Sequence, residues 1–207
     1  MIDAYRTVTE PSAAKLSRKK SRFLSFVVPV ESPHDVEQAL SHLRKIHHDA
    51  THYCLAYRLL DGEQVQEHAN DDGEPHGSAG NPILQQLERE ELVNVVAVVI
   101  RYYGGTKLGV GGLVRAYGDA AQAAIEAATI SMRHIEIEIR FSFPPDLTST
   151  VMSTVHRQGV TIRGIEYDQQ AHITAMLPPS RVEGFLGILR DATGARGEAE
   201  VKSDRFD

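Results

Sequence analysis

Residues 93–112 read VNVVAVVIRYYGGTKLGVGG and join an apolar run to a glycine-rich loop. Only Asn94 interrupts the first eight residues, and this pattern predicts a strand buried on both faces. Five of the nine residues in 104–112 are glycine, which allows positive φ angles and close backbone approach. An alanine-rich helix is predicted from about residue 113, so the loop leads its backbone amides into a helix N-terminus.

Two interpretations of this loop remain open. The loop matches neither of the two known phosphate-binding fingerprints. A P-loop that starts at Gly104 would need Lys at position 110, where Val110 stands. A dinucleotide-binding loop that starts at Gly109 would need Gly or Ala at position 114, where Val114 stands. The loop could therefore serve only tight helix–sheet packing. Flanking cations and tyrosines favour an anion or nucleic-acid contact instead. The residues of this predicted contact are Arg101, Tyr102, Tyr103, Gly104, Gly105, Lys107, Gly109, Gly111, Gly112 and Arg115.

Composition restricts what the whole chain can be. It has 207 residues with a formal net charge of −6, which argues against a protein that coats nucleic acid with its whole surface. A nucleic-acid contact must therefore come from a local patch. After the glycine loop, the cation-rich segment 15–22 is the second indication of such a patch, although a solvated segment is the simpler interpretation. The single cysteine, Cys54, predicts a reducing, cytoplasmic location. Neither a signal peptide nor a membrane span is expected.

The first half of the chain alternates strand and helix patterns. Ser32 is the predicted N-cap of one helix with Pro33 at its first position, and Asn81 is the predicted N-cap of another. The segment 70–81 is too rich in turn residues for regular structure and is long for a connection, as functional loops often are. Alternation and turn signals predict strands at 23–30, 51–60 and 64–70.

A second cluster of reactive side chains precedes the glycine loop. The acids of this cluster could bind a hard cation, balance the cations of the loop, or solvate a turn. A cysteine–histidine pair could act as nucleophile and base only if the strand brings the two together. No metal and no cofactor is assigned, and surface or buried histidines are the simpler interpretation. The residues of this possible pocket are His52, Cys54, Asp71, Asp72 and Glu74.

The second half predicts a ferredoxin-like plait. Residues 135–143 alternate apolar and polar, and two helices and three further strands follow in the order βαββαβ. Asp146 is predicted to begin the first helix, Ser180 and Glu183 to form a capping box on the second, and 198–203 to be the last strand. We place the domain boundary between residues 132 and 133. This half carries no candidate chemistry and is predicted to pack against or bind a protein partner.

Several motifs together resemble the IMPACT (YigZ-like) family. They are Arg101-Tyr102-Tyr103-Gly104-Gly105 with the glycines that follow, Asp71-Asp72-Gly73-Glu74-Pro75, Lys20-Ser21-Arg22-Phe23 and the strand holding His52 and Cys54. The resemblance implies an α+β protein of two domains. Residues 1–132 would form an IMPACT-type βαβ layer like the second domain of a small-subunit ribosomal protein. Residues 133–207 would be a ferredoxin-like plait similar to the fifth domain of elongation factor G.

The resemblance also implies a connection to translation. We therefore expect a protein without enzymatic activity that binds RNA or the ribosome through the loop from Arg101 to Arg115. The alternative is an enzyme or binder of a nucleotide or other small ligand, in which Asp71, Asp72 and Glu74 face the same loop. A third expectation is a protein adaptor that acts through the plait. Convergence of the two segments on one concave pocket would favour the enzyme, and an open basic face would favour RNA.

Overall fold

The computed structural model describes residues 1–202, which divide into two compact units. The larger unit comprises Tyr5–Arg133, and the smaller comprises Met1–Ala4 with the chain from His134 onward. The sequence-based boundary lies one residue from this division. The sequence-based division groups residues 1–4 with the first half, whereas the structure groups them with the second. Two hydrogen bonds explain this difference: Ile135 N donates to the carbonyl of Asp3, and Ser180 N donates to the Asp3 carboxylate.

The larger unit is built on a five-stranded antiparallel sheet in the order β2-β3-β6-β4-β5. β3 and β4 run parallel to each other on either side of β6 and are joined by α1, which makes a split βαβ unit. β1 pairs with β7 in a separate ribbon. The elements are β1 (Ala4–Val8), β2 (Ser12–Arg18), β3 (Ser21–Pro29), α1 (Pro33–Ile46), β4 (His52–Asp61), β5 (Gln64–Asn70), α2 (Gly80–Arg89), β6 (Val95–Tyr102), α3 (Val110–Glu126) and β7 (Ile130–His134).

The central strand β6 is buried on both faces, as its apolar run predicts. Val95, Ala97 and Val99 belong to a core that also includes side chains of α2 and α3. The alternate residues Val96, Val98 and Ile100 belong to the core on the α1 side. Two helices on one face and one on the other therefore enclose the sheet, and the end of β6 is the point from which the glycine loop departs.

The helix starts differ in how well the sequence predicts them. The side chain of Ser32 accepts from Asp35 N at the start of α1, as expected. Asn81 is not the cap of α2, because the helix begins at Gly80 and its first amides are bonded by a side chain from the preceding loop. Helix α3 begins three residues earlier than predicted, since Gly109 takes a φ of 74° and serves as its N-cap.

The smaller unit has the sheet order β11-β8-β10-β9 with two helices, which is the predicted ferredoxin-like plait. The N-cap residue of α5 is Pro178, which makes no side-chain hydrogen bond, so the predicted capping box of Ser180 and Glu183 is wrong. The carboxylate of Asp3 instead accepts from both the amide and the hydroxyl of Ser180. The last strand ends at Lys202, and residue 203 lies outside the described residues. The elements are β8 (Ile137–Phe143), a 3-10 turn (Pro145–Leu147), α4 (Thr148–Arg157), β9 (Ile162–Tyr167), β10 (Ala171–Leu177), α5 (Pro179–Ala192) and β11 (Glu198–Lys202).

Both units combine helices with antiparallel sheets, so the fold class is α+β, as predicted. None of the helices in residues 1–202 has the length and apolar character that crossing a membrane requires.

Candidate functional site

Four segments of the larger unit meet at one end of the five-stranded sheet. They are the β2–β3 turn, the start of β4, the loop between β5 and α2, and the glycine loop between β6 and α3. Strand register brings them together, because Arg101 near the end of β6 lies opposite Phe23 on one side and His52 on the other. The sequence-predicted residues therefore lie at one end of the sheet, but they do not all face solvent.

Arg101 lies inside the protein and forms a buried ion pair with Glu74. The guanidinium Nη1 is 2.5 Å from Glu74 Oε1, and both side chains are less than a tenth exposed. Its Nη2 donates to Ser21 Oγ over 3.3 Å, while its Nε is buried without a partner among residues 1–202. A buried carboxylate needs an opposite charge beside it. The prediction that Arg101 contacts phosphate is therefore corrected, since its guanidinium neutralises Glu74.

The same carboxylate receives a second hydrogen bond from helix α3. Tyr117 donates its hydroxyl to Glu74 Oε1 over 2.7 Å, and burial raises the pKa of that hydroxyl, so it remains a donor. His52 lies at the edge of the cluster, with Nε2 3.8 Å from Glu74 Oε1 and Nδ1 2.8 Å from the carbonyl of Asp72. Glu74 thus ties the β5–α2 loop to both the sheet and α3.

Cys54 is fully buried on the same face of β4 as His52. Burial raises the pKa of its thiol to about 12; the nearby carboxylates also raise this pKa, while a contact with Tyr117 lowers it. The Sγ donates to the carbonyl of Asp71 over 3.0 Å. A thiol that stays protonated is a poor nucleophile, so the geometry favours the packing role of Cys54 over nucleophilic chemistry.

Asp71 and Asp72 hold the β5–α2 loop in place. Asp71 accepts from the amides of Gly77, Ala79 and Gly80 over 2.7–2.9 Å. Burial alone would raise the pKa of Asp71, but these amides outweigh it and the pKa is lowered. Asp72 bonds Arg44 at 2.9 Å and the amide of Tyr53 at 2.7 Å. Within residues 1–202, no group of three or more His, Cys, Asp and Glu side chains is placed to hold a metal ion.

The glycine loop packs directly on the β2–β3 turn. Gly104 N donates to Ser21 Oγ over 3.2 Å, and a Cβ at Gly104 would lie 2.1 Å from the carbonyl carbon of Lys20. Lys19 and Lys20 in the turn both have positive φ angles, 43° and 69°. Only glycine fits at residue 104, so the close backbone approach expected of this loop occurs against the protein's own turn.

The exposed side of these two segments is basic. Lys19, Lys20, Lys107 and Arg115 are exposed, and none of them makes an ion pair with another of the residues 1–202. Tyr103 is 46% exposed, with the guanidinium carbon of Arg101 5.3 Å from the centre of its ring. We call Lys19, Lys20, Tyr103, Lys107 and Arg115 the basic surface. The backbone at Gly105 and Gly109, each with positive φ, and at Gly111 and Gly112 runs through it.

Tyr102 faces the other way. Its hydroxyl is 3.0 Å from His47 Nδ1, and the guanidinium carbon of Arg22 lies 4.6 Å from the centre of its ring. It packs against the core on the α1 side. The two adjacent tyrosines do point to opposite faces, as expected, and Tyr103 is the exposed one.

Sequence reasoning missed two members of the buried cluster. Ser21 accepts from both Arg101 and Gly104 N, whereas the Lys20-Ser21-Arg22-Phe23 motif indicates only a family resemblance and no role for its hydroxyl. The spacing of Tyr117 from Ala120 and Ala124 predicts only that it lies on the buried face of α3. A tyrosine among alanines on a buried helix face does predict a buried polar partner, because its hydroxyl must form a hydrogen bond there.

The site region coincides with a known protein family. The Impact N-terminal domain matches residues 19–125, which is just over half of the chain and contains both the basic surface and the Glu74–Arg101 pair. The chain belongs to the IMPACT family. The family member YvyE of Bacillus subtilis is 29% identical over 202 residues, covering 98% of this chain and 92% of that protein. An IMPACT family member from Thermus thermophilus is 42% identical over 181 residues, with coverages of 86% and 96%.

Similarity to the eukaryotic relatives is confined to part of both chains. The human protein named IMPACT is 36% identical over 99 residues, which are 45% of this chain and 30% of the human protein. A crystal structure described as that of a hypothetical protein matches the complete fold, with a TM-score of 0.68 and 26% identity over 99% of this chain and 100% of that one.

Proposed function

We propose that this IMPACT family member is a translation-associated protein that contacts RNA or the ribosome through the basic surface. The observation that carries the proposal is a set of four exposed cations that make no ion pair with another of the residues 1–202. Two lie in the β2–β3 turn, one lies in the glycine loop that packs on this turn, and one lies in the first turns of α3. Such a group contrasts with the chain's net charge of −6. The association with translation rests on membership of the family, and a reducing cytoplasmic setting fits the free cysteine.

Each part of the basic surface has a role in this proposal. Lys107 and Arg115 bind phosphates, and the β2–β3 turn lysines extend the contact along the backbone of the RNA. The N-terminus of α3 has no side-chain cap, so its first amides and the helix dipole add to the attraction for a phosphate. Tyr103 offers a ring for base stacking, and the buried Arg101–Glu74 pair fixes the strand end that carries it.

The geometry supports this role over an enzyme that uses the acids of the β5–α2 loop. Glu74 is taken by Arg101 and Tyr117, Asp71 by three backbone amides, and Asp72 by Arg44 and Tyr53 N. Acids that already hold the fold together are poorly placed to bind a metal or move a proton. We therefore assign this cluster to support of the basic surface.

Stacking by Tyr103 gives a direct test of the proposal. In fluorescence anisotropy with a labelled single-stranded RNA, Tyr103→Ala should weaken binding by roughly 1–3 kcal/mol, while Tyr103→Phe keeps the ring and most of the affinity. The matched control is Tyr167→Ala, because Tyr167 is 61% exposed in the smaller unit. Equal affinity of Tyr103→Ala and wild-type protein would show that the RNA contact is elsewhere.

A further inference from the structure

A cavity lies at the opposite end of the sheet from the basic surface. This cavity of about 530 Å³ opens between β1, the end of β3 and the start of α1. Pro29 and Val95, which pair across β3 and β6, mark this end of the sheet, whereas Arg22 and Tyr102 pair at the other. The cavity has the size of small-molecule sites, and nothing in the proposed RNA contact uses it.

The floor of this cavity is fixed and its polar groups are already bonded. Asn94 Nδ2 donates to the hydroxyl of Tyr5 over 3.1 Å, and Asn94 Oδ1 accepts from Leu60 N over 2.8 Å. Thr7 Oγ1 donates to the carbonyl of Asn94. Val8 and Val30 supply buried apolar surface. Because the polar groups of the floor are already bonded, the floor defines the shape of the cavity. Recognition of a ligand must therefore come from the charged groups of the rim.

The rim carries two opposite charges. Glu31 and Arg133 both line the cavity, both are exposed, and neither makes an ion pair with another residue in 1–202. Burial raises the pKa of the Tyr5 hydroxyl, and the hydrogen bond with Asn94 partly offsets this rise. The charge of Arg133 lowers the same pKa and the charge of Glu31 raises it. Both side chains line the same cavity as that hydroxyl. The third charged group of the rim, Asp35, is already bonded to Ser32 and Glu31 N.

We propose that this cavity binds a small zwitterion, an amino acid or dipeptide, with its carboxylate on Arg133 and its ammonium group near Glu31. A guanidinium binds a carboxylate through two parallel hydrogen bonds, which gives direction as well as affinity. A carboxylate such as Glu31 complements an ammonium group in the same way. The volume leaves room beside Val8 and Val30 for the ligand's side chain.

The test uses the complete protein labelled with ¹⁵N and titrated with dialanine, with N-acetyl-dialanine and with dialanine amide. Free dialanine should shift the amide signals of Tyr5, Thr7 and Asn94, and blocking either end should weaken binding by about tenfold. Arg133→Gln should abolish the preference for a free carboxylate, and Glu31→Gln the preference for a free ammonium group. Arg89→Gln, an equal charge change on an exposed residue that does not line the cavity, is the control.

Two results would overturn the proposal. One is the absence of shifts around the cavity with all three compounds at millimolar concentration. The other is equal binding of free and blocked dialanine, which would show a peptide contact without charge recognition. The test is independent of the RNA proposal, because the Lys107→Ala/Arg115→Ala protein should bind dialanine as the wild type does.

Discussion

At the scale of single residues, one buried charge pair ties the β5–α2 loop to the sheet of the larger unit. Glu74 lies in a loop that has little regular structure, and Arg101 lies at the end of the most buried strand. Removing one partner leaves the other charge buried and uncompensated, which costs far more than loss of an exposed pair. The pair therefore positions the loop, and through Tyr103 it supports the basic surface.

Replacing Glu74 by Gln should destabilise the protein by about 3–5 kcal/mol, because Arg101 would keep its charge without a counter-ion. Urea unfolding followed by circular dichroism measures the change. The control is Asp119→Asn, which breaks the exposed pair with Arg18 and should cost about 0–1 kcal/mol. Similar small costs for both variants would contradict the structural role of the buried pair.

The thiol of Cys54 should be almost unreactive in the native protein. Its pKa of about 12 keeps it protonated at pH 8, and its burial blocks reagent access. Labelling with a disulfide reagent should be slow in buffer and rapid in concentrated urea. Fast stoichiometric labelling of the folded protein would show that Cys54 is available for chemistry after all.

At the scale of elements, two long-range contacts decide where helices and loops begin. Asp71 caps α2 from the loop before it, and Gly104 lets the glycine loop touch the β2–β3 turn. Both contacts join residues that are distant in sequence, so no local sequence pattern predicts them. Each gives a prediction with a matched control.

Asp71→Asn should cost about 1–2 kcal/mol at pH 7, because neutral oxygens accept weaker hydrogen bonds from the three amides. The pKa of Asp71 is lowered in the folded state, so its stabilisation is present above pH 4 and is lost as the pH falls through the native pKa. The difference between variant and wild type should thus shrink toward pH 2 in urea unfolding. A difference that is constant with pH would exclude the charged cap.

Gly104→Ala should destabilise the protein by more than about 2 kcal/mol, since the added methyl group collides with the backbone of Lys20. Gly111→Ala is the control, because its Cβ would meet nothing within 4 Å and alanine favours the helix. Thermal unfolding should show a lower Tm for the first variant and an unchanged or higher Tm for the second. The reverse order would contradict the close approach.

The sequence predicts those elements whose causes are local. The apolar run predicts β6, Ser32 and Pro33 predict the start of α1, and alternation with turn signals predicts the plait. It does not predict the cap of α2 or the burial of Arg101, since each depends on a partner 9 to 27 residues away that only the folded chain brings close. A cation beside a glycine loop looks the same in sequence whether it faces solvent or a buried acid.

At the scale of the whole molecule, charge is distributed unevenly. The plait has alternate apolar residues of its sheet in a core with its helices, so the other face of the sheet is polar. Arg140 pairs there with Glu166, and Lys202 pairs with Glu138. The cations of the basic surface, by contrast, make no ion pair within residues 1–202.

The most direct test of the RNA proposal is the salt dependence of binding to single-stranded RNA and to purified ribosomes. For wild-type protein on single-stranded RNA, the logarithm of the association constant should fall linearly with the logarithm of salt concentration. Lys107→Ala/Arg115→Ala should bind more weakly with a slope shallower by about 1.4, the contribution of two phosphate contacts, while Arg89→Ala should match wild type. Unchanged affinity and slope in the double variant, or no binding of wild-type protein at low salt, would contradict the proposed role of the basic surface.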